Sequence, residues 1–146
     1  MTPAPGIFIV AEAGVNHDGD LGAAEALIGA AKAAGADAVK FQTFRADSLA
    51  SEEAALAPYQ AAAGEHGGQH GMLARLELDE AAHRRLMESA RRIGIEFLST
   101  PFDVESADLL ERLEMARYKI PSGEITHRRL IEHVARKKKP IILSTG

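Results

Sequence analysis

Cysteine is absent from the 146 residues. Without it there is no disulfide framework and no thiol nucleophile, as is usual in a reducing compartment. Positive charge is not in excess either. Seventeen Lys and Arg stand against 21 Asp and Glu, a formal net charge of −4. The protein as a whole therefore has no attraction for nucleic acid or an anionic membrane, and any anion must be held by a local field. No apolar run approaches the roughly 18 residues that a membrane span requires. The opening Met1-Thr2-Pro3-Ala4-Pro5-Gly6 lacks the basic start and long apolar stretch of a secretory leader. What remains, 46% hydrophobic and 26% charged residues, is ordinary globular chemistry. The expectation is one soluble, cytoplasmic domain with no nucleic-acid and no membrane partner.

Short apolar runs alternate with helical stripes along the chain. Residues 7–12 form a near-continuous apolar run, predicted to be a strand buried on both faces. Asp20 is placed to cap a helix with Leu21, Ala24, Leu27, Ile28 and Ala31 on one stripe, and Gly35 is placed to stop it. Residues 38–42 give the second strand. Residues 43–77 are a long, glycine-rich excursion, predicted to be irregular in its middle or to carry small helices of its own. Asp79 caps the next helix, with Ala82, Leu86, Met87 and Ala90 inward, and Gly94 ends it. Residues 96–99 give the third strand. Asp103 starts a helix on which Ala107, Leu110 and Leu113 are aligned. Residues 117–121 give the fourth strand. Thr126 is the expected cap of a helix carrying Leu130, Ile131 and Val134, and residues 140–144 give the fifth strand.

Five strands alternating with helical segments predict a parallel sheet with right-handed crossovers. The fold class read from this is α/β, a (β/α)₈ TIM barrel of which the chain covers about the first five strands and four helices. Such a barrel takes roughly 250 residues and keeps its chemistry at the C-terminal strand ends. A doubly wound open sheet is the competing architecture. It would usually carry a tight glycine-rich phosphate loop after the first strand, and none is present.

Lys40 and Lys119 each fall near the C-terminal end of a predicted strand, in Ala38-Val39-Lys40-Phe41-Gln42 and Tyr118-Lys119-Ile120-Pro121-Ser122. Two ammonium groups facing one opening imply an anion between them. The strand ends Leu98-Ser99-Thr100-Pro101 and Leu143-Ser144-Thr145-Gly146 add hydroxyl donors. Each of these residues also has an ordinary reading: a snorkelling surface lysine, or a hydroxyl in strand-end turn chemistry.

Five blocks narrow the choice. Ala11-Glu12-Ala13-Gly14-Val15-Asn16-His17-Asp18-Gly19, Gly35-Ala36-Asp37-Ala38-Val39-Lys40-Phe41-Gln42-Thr43-Phe44, Phe97-Leu98-Ser99-Thr100-Pro101-Phe102-Asp103, Tyr118-Lys119-Ile120-Pro121-Ser122-Gly123-Glu124-Ile125-Thr126 and Pro140-Ile141-Ile142-Leu143-Ser144-Thr145-Gly146 occur in this order and spacing. Together they resemble the N-terminal catalytic part of the N-acetylneuraminate (sialic acid) synthase family, which includes legionaminic acid synthases.

The resemblance implies condensation of phosphoenolpyruvate with an N-acetylated mannosamine-type sugar, giving a nonulosonic acid and phosphate. It implies that Lys40, Lys119, Thr100, Ser122 and Ser144 hold phosphoenolpyruvate, that Glu12 and Gln42 face the sugar, and that Glu124 serves the cationic centre or the attacking water. It also implies a divalent metal, Mn²⁺ or Mg²⁺, whose ligands lie outside this chain. The remaining strands and an antifreeze-like C-terminal domain would lie outside it too, and the full-length protein would be a homodimer.

Other residues take plainer readings. Asn16 and His17 lie in a family block, and His17 can serve simply to fix its loop. His66 and His70 read as solvated loop histidines, not metal ligands. Arg128, Arg129 and the run Arg136-Lys137-Lys138-Lys139 read as solvated helix charges. Asp18 and His127 stand where Asn is common in the family. Two alternatives stay open: a Schiff-base aldolase using Lys119 or Lys40, and a non-catalytic sugar- or phosphate-binding fragment.

Overall fold

A computed structural model describes residues 6–50 and 68–146. The elements are β1 (Val10–Gly14), α1 (Leu21–Ala33), β2 (Ala38–Thr43), α2 (Ala46–Leu49), α3 (Gly68–Leu76), α4 (Glu80–Ile93), β3 (Glu96–Pro101), α5 (Val104–Arg112), β4 (Tyr118–Ile120), a 3₁₀ turn (Ser122–Glu124), α6 (Arg128–Arg136) and β5 (Ile141–Leu143). β1, β2 and β3 form one parallel ladder in sequential order, and β4 and β5 form a second, with β3 lying beside β4. Sequential parallel order is the winding of a (β/α)₈ barrel, and it excludes the strand-order reversal of a doubly wound sheet.

The helices form where capping and apolar stripes place them. Asp20, Asp79 and Asp103 each accept a backbone N–H from the first turn of α1, α4 and α5. Gly94 ends α4 in the left-handed region at φ 74°. Ile28, Leu86, Phe41 and Phe97 make the core beneath α1 and α4, where Phe41 stacks on Phe97. Leu110, Tyr118, Leu130 and Val134 make a second core beneath α5 and α6. The two faces of β2 differ in content: Val39 and Phe41 face the helices, while Lys40 and Gln42 line the opposite, inner side.

Five expectations are corrected. The first strand starts at Val10, because its ladder begins opposite Ala38. Ile9 donates to the Asp37 carboxylate and its carbonyl accepts from the Asp37 and Ala38 N–H groups, and Ile7 and Phe8 are exposed, with Arg117 stacked over the Phe8 ring. Burial on both faces describes β2 and β3; β1 and β5 are outer strands, and Ile141 and Leu143 of β5 are exposed.

Thr126 does not cap α6. His127 occupies that position and gives no side-chain bond to the helix start. Lys137 is not a solvated charge: its side chain is only 6% exposed and its ammonium pairs with Asp108 and Glu111. Burial opposes both charges of the Lys137–Asp108 pair, but their hydrogen bonds prevail, holding the Lys137 pKa above its ordinary value and the Asp108 pKa below.

The excursion carries α2 and α3. His70 lies on α3, with Nε2 2.8 Å from Asp47 Oδ1, so it is not a free loop histidine. His66 lies outside the described residues.

Candidate active site

The C-terminal strand ends surround an open cavity of about 390 Å³. Glu12 and Gly14 come from β1, Lys40 and Gln42 from β2, Thr100 from β3, Lys119 from β4, Ser122 from the turn after it, and Ser144 from the end of β5. Seven of the eight residues singled out from sequence thus share one opening. Asn16 and Phe102 complete much of its wall.

Lys40 is buried, with Nζ 2.5 Å from Glu12 Oε2 and a longer donation to Thr100 Oγ1 at 3.3 Å. Lys119 Nζ donates to Ser144 Oγ at 2.7 Å and to the Ile120 carbonyl at 2.8 Å. Burial lowers the Lys119 pKa, and the positive charge of Lys40 lowers it further; Glu12 partly offsets them. Two cations that disfavour each other in one opening would both be relieved by a bound anion.

A bulge in β1 sets the position of Glu12. The register runs Glu12 opposite Lys40, then Gly14 opposite Phe41, so Ala13 is the extra residue. Gly14 follows at φ 56°, where a Cβ would come 3.2 Å from Glu12 Oε1 and 3.5 Å from Gln42 Nε2. The glycine lets the backbone turn without pushing those two side chains aside.

Glu124 does not line this cavity. It borders an adjoining one of about 480 Å³ with Ser48, Glu105, His127 and Arg129, and Phe102 lines both. Its Oε2 lies 2.5 Å from His127 Nδ1.

The sequence reading missed a buried polar chain behind the lysines. His83, Thr43 and Ser99 are all buried. His83 Nδ1 lies 2.9 Å from the Asp79 carbonyl, which can only accept, so Nδ1 carries the proton. Nε2 then accepts from Thr43 Oγ1 at 2.8 Å, and Thr43 in turn accepts from Ser99 Oγ at 2.6 Å. The chain ties β2, β3 and α4 together directly behind Gln42 and Thr100. A signal was available: His83 lies three residues before Leu86 and four after Asp79, on the inward stripe of α4.

His17 is buried as well. Its Nδ1 accepts from the Gly19 N–H, which fixes the loop after β1, and Nε2 has no partner among the described residues. Burial holds both histidines below the usual imidazole pKa.

No three His, Asp or Glu side chains among the described residues converge to hold a metal ion. Glu12, the carboxylate in the cavity, is already paired with Lys40. The described residues do not make a metal site by themselves. Among the described residues no helix is long and apolar enough to cross a membrane.

A sequential strand–helix winding with cations and hydroxyls at its C-terminal strand ends defines the class as a (β/α)₈-barrel protein. Sequence comparison specifies the class: the NeuB family profile fits residues 27–146, and the chain belongs to the NeuB family. It is 54% identical over 140 residues to an N,N'-diacetyllegionaminic acid synthase of Legionella pneumophila, covering 95% of this chain and 39% of that protein. It is 50% identical over 140 residues to the protein of the same name from Campylobacter jejuni, covering 95% of this chain and 42% of that one.

Among solved structures, it superposes on a sialic acid synthetase of Leptospira borgpetersenii, crystallised with citrate, at a TM-score of 0.80 and 31% identity. That match covers 97% of this chain and 45% of the other. It superposes on the spore coat polysaccharide biosynthesis protein SpsE of Bacillus subtilis at 0.73 and 40% identity, covering 99% of this chain and 37% of that one. The chain thus spans about two fifths of the length of these curated relatives.

Proposed function

We propose that the protein containing this chain condenses phosphoenolpyruvate with an N-acetylated mannosamine-type sugar, releasing phosphate and a nonulosonic acid. One observation carries the reading: Lys40 and Lys119, from different strands, face one opening with Thr100, Ser122 and Ser144 around them. Phosphoenolpyruvate carries a phosphate and a carboxylate, and two lysines with three short hydroxyls suit such a ligand. The synthase names of the relatives support the same reading.

In the proposed reaction, carbon 3 of phosphoenolpyruvate attacks the aldehyde carbon of the open-chain sugar, and the aldehyde oxygen takes up a proton. Water adds to the cationic carbon 2 and gives up a proton. The bond from carbon 2 to the phosphate oxygen then breaks, leaving the keto acid and phosphate. Lys40, Lys119 and the hydroxyls hold the anionic end. Glu12 and Gln42 face the sugar. Glu124 serves the cationic centre where the two openings meet at Phe102. A divalent ion, Mn²⁺ or Mg²⁺, belongs to the proposal, with ligands outside this chain. So do a cytoplasmic location and a homodimeric full-length protein.

The test is phosphate release from phosphoenolpyruvate by the full-length protein, with either ion, across a panel of N-acetylated hexosamines. Sugar-dependent release supports the reading, and no release with any sugar overturns it. The lowered pKa of Lys119 favours one second reading, a Schiff-base aldolase. Borohydride trapping with a keto acid separates the two, since only the aldolase leaves a covalent adduct.

A further inference from the structure

We propose that His127 is a positioning residue for Glu124, holding its carboxylate toward the junction of the two openings; this rests on the role given to Glu124 above. Three observations carry it. First, the contact is short: His127 Nδ1 lies 2.5 Å from Glu124 Oε2. An ionised carboxylate only accepts, so the imidazole donates through Nδ1–H in a charge-assisted bond. Second, the ring is not spent elsewhere. His127 stands at the N-cap of α6, where a side chain ordinarily accepts from the helix, yet it makes no such bond. Third, the backbone is arranged for the pair. The 3₁₀ turn at Ser122–Glu124 is closed by the Ile125 N–H donating to the Ser122 carbonyl, and in the turn that follows the His127 N–H donates to the Glu124 carbonyl at 2.9 Å. That turn brings the two side chains to the same side.

Two other acids at the head of the adjoining helix border this opening: Glu105 is exposed, and Asp103 is not available for this work. Asp103 accepts from the Arg45 and Ser106 N–H groups. Glu124 is therefore the carboxylate of this wall that combines a short side-chain tether with a face on the opening, its side chain remaining about a fifth exposed. A carboxylate on a turn of three residues would otherwise sample several rotamers, and orientation is a large part of what an electrostatic group contributes to turnover.

The experiment uses the full-length protein and steady-state kinetics of sugar-dependent phosphate release. Asparagine can place an amide nitrogen near the site of imidazole Nδ1, whereas alanine removes the donor. His127→Ala is expected to lower kcat by about tenfold or more while the KM for phosphoenolpyruvate stays within about twofold. His127→Asn should restore kcat to within about threefold of the parent. In a Glu124→Gln background, His127→Ala should cause little further loss, because the two residues act as a unit.

Parent-like turnover of His127→Ala, or losses that add in the double variant, would overturn the proposal. The failures are separable. If Glu124→Gln keeps parent turnover, the role of Glu124 itself falls. If Glu124→Gln loses turnover and His127→Ala does not, only the positioning role falls.

Discussion

Lys119 reaches from β4 across to Ser144 at the end of β5, Nζ to Oγ 2.7 Å, while its strand pairs with β5 in parallel register. The ammonium is thereby aimed by a neutral partner and carries no ion pair among the described residues, unlike Lys40, whose charge is matched by Glu12. A cation whose pKa is lowered by burial and by a neighbouring lysine, with only partial offset from Glu12, is the member of the pair with most to gain from an incoming anion.

Lys119→Met in the full-length protein should therefore weaken phosphoenolpyruvate binding far more than sugar binding. Loss of one charge contact to a multiply charged ligand is expected to amount to roughly 2–5 kcal/mol. Calorimetric titration of each substrate separately measures this, and unchanged phosphoenolpyruvate affinity removes Lys119 from the anion site. In the parent protein, affinity should fall as pH rises through the Lys119 pKa. That fall begins below the range of an ordinary lysine, because the group binds its proton less firmly here.

Glu12→Gln should act in the opposite sense on the anion. It removes a carboxylate from the opening and frees Lys40 from its 2.5 Å partner. Phosphoenolpyruvate affinity should hold or rise, whereas turnover should fall on the sugar-side role proposed for this carboxylate. A parallel loss of phosphoenolpyruvate affinity would show that Glu12 is needed to orient Lys40 instead.

Thr43→Val should destabilise the fold by about 1–3 kcal/mol, since it strands buried His83 Nε2 and the Ser99 hydroxyl without their shared partner. Urea unfolding measures the loss. The same network gives the parent an acid sensitivity. His83 and His17 have folded pKa values lowered by burial, so the unfolded chain binds protons first. Their contribution is fully present above the unfolded value of about 6.5 and is lost as pH falls through the folded values. A urea midpoint that is flat between neutral pH and mild acid would contradict this sign.

Lys40, Lys119, Thr100 and Ser144 of the candidate site were legible as strand-end residues, whereas Glu12 and Gln42 were carried by the family resemblance. Lys40 and Gln42 are interrupted by Phe41, so a buried strand must send the polar pair to one side and the ring to the other. The aspartate caps were equally legible, because Asp20, Asp79 and Asp103 each precede an apolar stripe.

What failed was information that needs a partner. Where β1 starts is set by Ala38 across the ladder, not by the apolar content of residues 7–9. Lys137 looked like one of a basic run because Asp108 and Glu111 lie on another helix. Glu124, whose role was implied by the family resemblance, lies on the neighbouring opening because a 3₁₀ turn follows β4.

The bulge at Ala13 also makes chain length at this point part of the chemistry. Glu12 stands opposite Lys40 on one side of the extra residue, and the loop bearing Asn16 and His17 starts on the other. Deleting one residue between Glu12 and Gly14 would restore a regular ladder and rotate everything after it by one pleat, turning Asn16 away from the cavity and His17 out of its buried niche. A library that varies side chains here should yield graded variants, whereas one that varies length should yield only inactive ones.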